Sequence, residues 1–412
     1  MEDSQAVTTT DTCIIGAGPQ GLAAALQLEL VAPSMDVTVI DHSDQWLAAW
    51  KTQFARADIT TLRSPIVHHP SPDPYALTDF VEQHGFERSG LPYDPPTAES
   101  FSAFCSEIIK KAELASPIAA IPETIQSDHT GIELQTSAGV IRSRHLIIAT
   151  NPHHRNIPQW TWNLVGRQAG LLEHSLDVNL AETPDLEGQK IAIVGGGLTA
   201  AHLARSAALK GAEVKLIARN HLRIRDFDTE PGWLGPKYLT KYFAESDVER
   251  RIQVAREARG GGSIPEWMHN TLLDLTSSHA MEILDSAEVT SADALSPGGC
   301  ILQLNNNEQI YSDQVWLATG TQSNIESMRC LKQILADVPV IDGLPLVDHS
   351  LRLGPHPVYV MGRVAAFALG PAAGNLWGAR HAARRITTAI TGIELSSDGY
   401  YRQSSGPNKT KP

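Results

Sequence analysis

Cysteine is scarce in this chain, and the little there is stands apart. The four residues, Cys13, Cys105, Cys300 and Cys330, include no C-x-x-C, so neither a disulfide framework nor a dithiol redox centre is expected. No apolar run is long enough to span a bilayer. The opening residues Met1-Glu2-Asp3-Ser4-Gln5 are acidic and polar where a secretory leader would be basic and then apolar, so the expected location is cytoplasmic. Basic residues are outnumbered, 33 Lys and Arg against 46 Asp and Glu, which leaves a formal charge of -13. That balance argues against nucleic acid or an anionic membrane as a partner. Metal-ligand spacing is missing as well. The pairs His68-His69 and His153-His154 are adjacent in sequence, and adjacent side chains point apart on strand or helix, so no metal is expected.

What is present is a nucleotide-binding pattern, twice. Thr12-Cys13-Ile14-Ile15 runs into Gly16-Ala17-Gly18-Pro19-Gln20-Gly21, a G-x-G-x-x-G, and small and aliphatic helix formers follow from Leu22. Strand, tight turn and helix suit a dinucleotide. Gly16 permits the turn, Gly18 lets the backbone approach a pyrophosphate, and Gly21 lets the helix pack close to the strand, with Pro19 in the turn beside the phosphates. The next strand, Val37-Thr38-Val39-Ile40, ends at Asp41, twenty residues past Gly21. An acid there accepts hydrogen bonds from a ribose 2'-OH and repels a 2'-phosphate.

The second copy reads Ile191-Ala192-Ile193-Val194-Gly195-Gly196-Gly197-Leu198-Thr199-Ala200, a G-x-G-x-x-A, and its following strand ends at Arg219, nineteen residues past Ala200. An arginine in that place accommodates a 2'-phosphate. One nucleotide without the phosphate and one with it suggest FAD on the first unit and NADPH on the second, with hydride passing from nicotinamide to flavin. Gly195, Gly197, Leu198, Thr199 and Arg219 are the expected NADPH contacts. With no paired cysteines and no ligand cluster for haem or iron-sulfur, dioxygen or a soluble acceptor remains as the outlet for electrons.

The repeat extends further. The apolar run closing at Ala149-Thr150-Asn151 matches the one closing at Ala318-Thr319-Gly320, and Gly16 to Ala149 spans 133 positions against 123 from Gly195 to Ala318. The expected fold class is therefore α/β: two Rossmann-like dinucleotide-binding domains, the NADPH domain inserted into the FAD domain. Residues 1–165 and 308–395 are assigned to the FAD domain, 166–307 to the NADPH domain, and 396–412 to a polar tail. Helices are expected over 76–84 and 99–112, and Trp46 and Trp50 would share one helix face. Trp46 reads as core, and Trp50 is a candidate cofactor contact. The proline-rich stretch after Leu62-Arg63-Ser64-Pro65 reads as an ordered loop over a ligand. Residues 222–285 exceed a usual loop and read as a lid-like insert, with Phe227 and Trp233 facing the substrate. Near the end, a strand closes at Gly362, and Gly370-Pro371-Ala372-Ala373-Gly374-Asn375-Leu376 opens a helix whose N-terminus would favour negative charge on a ligand ring.

The two fingerprints, together with Asp313-x-x-x-Leu317-Ala318-Thr319-Gly320, resemble the class B flavin-dependent monooxygenases. The similarity is greatest to the N-hydroxylating branch that acts on ornithine or lysine, through the text from Ala57 to Pro65, Ser71-Pro72-Asp73-Pro74-Tyr75-Ala76-Leu77, and Pro95-Pro96-Thr97 before Phe101 and Phe104. It covers about residues 10 to 390. The branch carries a lysine where this chain has Ala57 and a tyrosine where it has Thr321, so ornithine or lysine is not itself implied. The sulfur- and nitrogen-oxidising branch has F-x-G-x-x-x-H before the second fingerprint. Here Gly170 and His174 fit that motif, and Gln168 replaces the aromatic. The resemblance implies that NADPH reduces FAD, that O2 adds at C4a, and that a nitrogen or sulfur atom of a small-molecule substrate is oxygenated by the hydroperoxyflavin. It points to Arg63 beside the flavin or its phosphates, Asn375 and Leu376 at the pyrimidine edge, Thr319 and Gly320 near the nicotinamide, and Thr150 and Gly362 along the FAD. An NADPH-dependent reductase passing electrons to a quinone or carrier protein is the alternative enzyme. A flavin-binding sensor or assembly subunit is the alternative outside catalysis.

Overall fold

The computed structural model describes residues 7–90, 93–183 and 185–395, and the tail expected over 396–412 lies outside them. The first unit opens with β1 (Val7–Ile15), α1 (Pro19–Val31) and β2 (Val37–Asp41). β1 is polar and partly exposed at its start and fully buried over Cys13, Ile14 and Ile15, so it enters the core as it nears the fingerprint. α2 (Ala48–Arg56), α3 (Ala76–His84) and α4 (Ala98–Lys111) follow. Thr97 caps α4 by accepting from the Ser100 N–H at 3.0 Å, and Phe101 and Phe104 are its buried face. β3 (Ile118–Ala119), β4 (Pro122–Asp128), β5 (Gly131–Thr136) and the long β6 (Gly139–Ile148) complete this part. The sheet order is β3-β2-β1-β6-β5-β4. β1 runs parallel to β2 and β6, whereas β4, β5 and β6 form an antiparallel meander.

β7 (His153–Arg155) leads to β8 (Leu172–His174), β9 (Lys190–Val194), α5 (Leu198–Leu209) and β10 (Glu213–Ala218). After these come α6 (Pro236–Ala244), α7 (Val248–Arg259), α8 (Glu266–Ser277) and β11 (Met281–Asp285), then the antiparallel meander β12 (Val289–Ala294), β13 (Cys300–Leu304) and β14 (Gln309–Ser312). β15 (Gln314–Leu317) closes a five-stranded parallel sheet in the order β11-β10-β9-β15-β8. β16 (Thr321–Ser323) then pairs with β7. The remaining elements are α9 (Lys332–Leu335), the short pair β17 (Val340–Ile341) and β18 (Leu344–Pro345), β19 (Val358–Val360), α10 (Ala366–Leu369) and α11 (Leu376–Thr391). β19 returns to the first sheet beside the second half of β6. Two dinucleotide sheets, the first mixed and the second parallel, one inside the sequence of the other, are thus the α/β architecture expected. No helix among the described residues is long and apolar enough to cross a membrane.

Three expectations need correction. The domain boundary at 307/308 is too early, because β15 pairs with β9 and β8 and belongs to the second sheet. The 222–285 segment is not one lid. Tyr242, Ile252 and Ala255 of α6 and α7 are buried in the first unit's core, while Met268 and Leu272 of α8 and Met281 of β11 complete the second unit's core. Trp46 and Trp50 do not share a helix, since α2 begins at Ala48, after Leu47 at φ 63.

Candidate dinucleotide sites and the cleft between them

Close backbone approach, read from the glycines, shapes both turns. Gly16 has φ +110, and a Cβ there would lie 3.0 Å from Thr150 Cγ2 and 3.1 Å from the Ala149 carbonyl. A Cβ on Gly21 would sit 1.8 Å from the Gly16 oxygen, so any side chain would separate α1 from β1. A Cβ on Gly18, by contrast, would meet nothing within 4 Å. The turn therefore faces open space at the N-terminus of α1, where Pro19 occupies the first turn and no side chain caps the helix. Asp41 ends β2 and accepts from the Ala17 N–H at 2.8 Å, which holds the turn against the strand end. Gln20 Oε1 is buried with no hydrogen-bond partner. An open turn, a strand-end acid and an orphaned acceptor fit a bound dinucleotide.

The second turn repeats this geometry. A Cβ on Gly195, at φ +153, would meet the Ala318 oxygen at 2.3 Å, the counterpart of Gly16 against Ala149. Leu198 and Thr199 begin α5 with Gly197 ahead of them. Arg219 follows β10 and is exposed, with no hydrogen bond or ion pair to a described residue. One feature has no counterpart in the first unit. Gly260, Gly261 and Gly262 all have positive φ, and a Cβ on Gly262 would lie 2.9 Å from Gly197 Cα, so this strap rests directly on the turn. The strap joins α7, packed on the first core, to α8, packed on the second. Thr319 and Gly320 sit opposite: the Asn156 side chain donates to the Thr319 carbonyl at 3.2 Å, and His174 Nε2 meets the Gly320 carbonyl at 3.2 Å.

Between the units lies a charged network. Arg63 Nε donates to the Asp226 carbonyl at 2.8 Å, Nη1 to the Ser263 carbonyl at 3.0 Å, and Nη2 to the Arg225 carbonyl at 2.6 Å and Ser263 Oγ at 2.8 Å. Its guanidinium is thereby spent on fastening the first unit's loop to the strap, and burial lowers its pKa. This corrects the expectation of Arg63 as a catalytic group free to touch a flavin: in this structure it is a positioning residue. Asn375 precedes α11 without capping it; its Nδ2 donates to Asp228 Oδ1 at 3.2 Å, and Arg259 donates to its Oδ1 at 3.2 Å. Arg259 also pairs with Asp228. Burial alone would raise the Asp228 carboxyl, but Arg259 and Arg63, with the Asn375 amide and Arg363, hold it below the ordinary carboxylate range. A short 3-10 turn, Pro371–Gly374, precedes α11, so Leu376 rather than Pro371 begins the helix proper.

The remaining candidates divide. Phe227 packs edge-on to Tyr93 at 4.6 Å and lines a cavity of about 370 Å³ with Leu62, Arg63, Pro265 and Trp267. Trp233 faces elsewhere, against Tyr238 and Tyr242 on the first core. Trp50 stacks on Phe54 and Phe101, with ring centroids at 4.1 and 5.2 Å. It thus packs against α2 and α4 while one side of it stays accessible. Thr150 and Gly362 do come together at the mouth of the first unit, where a Cβ on Gly362 would lie 3.7 Å from the Thr150 oxygen. The sequence reading missed Asp228, Arg259, Arg363 and the strap. Only the strap had a local signal, three consecutive glycines; Arg363 is brought to Asp228 and Arg259 from more than a hundred residues away, and Asp228 and Arg259 are themselves 31 apart.

All four cysteines are buried and free. Burial pushes the Cys13 thiol up to about 12 and the Cys300 thiol up to about 11, the latter with help from Asp313. Neither is a reactive thiolate at neutral pH.

Against known proteins, residues 10–393 match the family model described as pyridine nucleotide-disulphide oxidoreductase. No curated protein matches the sequence. Among solved structures, the FAD-bound cadaverine monooxygenase DfoA of the desferrioxamine pathway from Erwinia amylovora superposes with a TM-score of 0.76 at 16% identity, over 98% of this chain and 100% of that one. The ornithine N-hydroxylase KtzI of Kutzneria sp. 744, solved with reduced FAD, NADP+ and L-ornithine, gives 0.74 at 14% identity over 93% and 99%. The bacillithiol disulfide reductase Bdr of Staphylococcus aureus gives 0.62 at 16% over 93% and 99%.

Proposed function

Because this chain belongs to the pyridine nucleotide-disulphide oxidoreductase family, an oxidoreductase with two dinucleotide units, we propose that it is an FAD- and NADPH-dependent monooxygenase that oxygenates a nitrogen or sulfur atom of a small molecule. The observation that carries this reading is the state of the cysteines. A disulfide reductase of this architecture needs an accessible thiol to relay electrons, and here every cysteine is buried. Electrons must then leave to a diffusible acceptor. The fold of the solved N-hydroxylating monooxygenases supports dioxygen as that acceptor.

Bound FAD would supply the redox chemistry, taking hydride from NADPH and activating O2. The chain's own part is to bind, orient and exclude water. Gly16, Gly18, Pro19 and Gly21 hold the FAD phosphates, and Asp41 fixes the turn and faces the ribose. Gly195, Gly197, Leu198 and Thr199 hold the NADPH phosphates, Arg219 reads the 2'-phosphate, and Thr319 and Gly320 wall the nicotinamide. Asn375, tied to Asp228 and Arg259, fixes the start of α11 beside the flavin. The Phe227–Tyr93 cavity receives the substrate.

The test is reduction of the purified protein by NADPH, followed by mixing with O2. Bleaching of the flavin, then a near-ultraviolet absorption band that persists before oxidised flavin returns, is the expected sequence. Immediate reoxidation without that band, together with fast turnover on quinones, would replace this reading with a reductase.

A further inference from the structure

Among the described residues, Arg363 is the arginine of the central network whose side chain has no hydrogen-bond or ion-pair partner. It follows Gly362 just after β19, and its side chain lies across Gly374, where a Cβ would come within 2.3 Å of Arg363 Cγ. A Cβ on Gly362 would be 3.7 Å from the Thr150 oxygen and 4.0 Å from Gln20 Cδ. The residue therefore occupies the crevice bounded by the first fingerprint, the end of β6 and the start of α11.

Its neighbours are already committed. Asp228 is taken by Arg259 and Asn375, and the Arg63 guanidinium is bonded to three carbonyls and Ser263 Oγ. The Arg363 side chain has no hydrogen bond or ion pair to a described residue. Burial pushes its pKa down to about 10, with Arg259 adding to the fall and Asp228 opposing it. Arg363 is half-buried beside Arg259, and two like charges in a partly dry crevice are unfavourable unless an anion meets them. In the same crevice Gln20 Oε1 is buried and without a donor. The starts of α1 and α11, neither capped by a side chain, adjoin there, with Gln20 Nε2 donating to the Asn375 carbonyl at 3.4 Å.

We propose that Arg363 is the counter-cation of the FAD diphosphate, with Gln20 Oε1 accepting from a hydroxyl of the same nucleotide. The proposal rests on the reading of the first unit as the FAD site. The diphosphate is favoured over a substrate carboxylate or a reduced flavin ring because Arg363 is unbalanced in the resting protein. The diphosphate is an anion that stays with the protein throughout turnover, whereas a substrate carboxylate is there only while substrate is bound and the flavin ring is anionic only when reduced.

The experiment measures release of flavin from the holoprotein on dilution and the rebinding of FAD or riboflavin to the stripped protein, both by flavin fluorescence. Arg363→Gln should weaken FAD by about 10- to 100-fold, the worth of a charged hydrogen bond, and leave riboflavin, which lacks phosphate, unchanged. Arg363→Lys should recover part of the loss, and it keeps the test in hand if the Gln variant does not fold. Equal weakening of FAD and riboflavin would show a packing role and overturn the proposal. So would unchanged FAD affinity, with the effect appearing instead in substrate KM or in the flavin reduction potential. None of the deciding binding measurements involves NADPH or O2, so monooxygenation can fail while this assignment stands, and the reverse.

Discussion

Arg219 and Arg63 are both arginines beside a nucleotide turn, and their surroundings give them opposite roles. Arg219 stands exposed past β10 with its donors free of described partners, so its charge is available to a ligand phosphate. Arg219→Ala should cost NADPH binding about 1.5 to 3 kcal/mol and leave NADH nearly unchanged. Equal loss for both nucleotides would show that it does not read the phosphate. Arg63 spends its guanidinium on the strap. Arg63→Ala strands the part-buried Ser263 and Arg225 carbonyls and should cost about 1 to 3 kcal/mol of stability, with Arg63→Lys restoring little because an ammonium cannot reproduce the fork. Urea unfolding followed by tryptophan fluorescence checks this, and flavin content should stay constant. Loss of flavin with stability intact would return Arg63 to the flavin itself.

At the scale of elements, the strap is where sequence and position matter together. Gly261 and Gly262 both have positive φ, but a Cβ on Gly261 would have only Arg223 Nη1 near it, at 4.0 Å, whereas one on Gly262 would strike the Gly197 backbone at 2.9 Å. Each substitution to Ala carries the backbone cost of roughly 1 to 2 kcal/mol. Gly262→Ala adds an overlap between two backbones, so it should be the more destabilising by about 1 to 3 kcal/mol. It should also speed NADPH association, because the strap is displaced from the turn. Equal stability for the two variants in urea would mean the strap does not bear on Gly197. Nothing in the one-dimensional pattern announced this contact. Propensity and periodicity did place α3 at Ala76–His84 and α4 within a residue at each end, because those signals are local. They do not decide Trp50, for which the aromatic partners Phe54 and Phe101 are as good a reason as a cofactor. They failed for the insert, where helices of similar composition pack on different cores.

For the molecule as a whole, the duplication was legible because close approach of a turn to a strand end admits few residues, and Gly16 against Ala149 is repeated in Gly195 against Ala318. The boundary was not legible. An apolar run such as β15 says that a strand is buried on both faces, but not which of two parallel sheets it joins. The same enclosure sets the response to acid. His69 and His202 are buried outright and His68 and His381 are half-buried. Burial, the largest cause in each, pushes His69 down to about 3 and the other three to about 4, from the ordinary 6.5. Between these values the unfolded chain binds protons that the folded chain refuses, so stability falls as pH drops from 6.5 towards 4 and is fully retained above 6.5. His202 is the cleanest probe, since both its ring nitrogens are buried without partners. Proton uptake on urea unfolding at pH 5.5 should fall by about one proton in His202→Gln relative to the parent chain. No change in uptake would mean that His202 is already protonated, or open to water, in the folded protein.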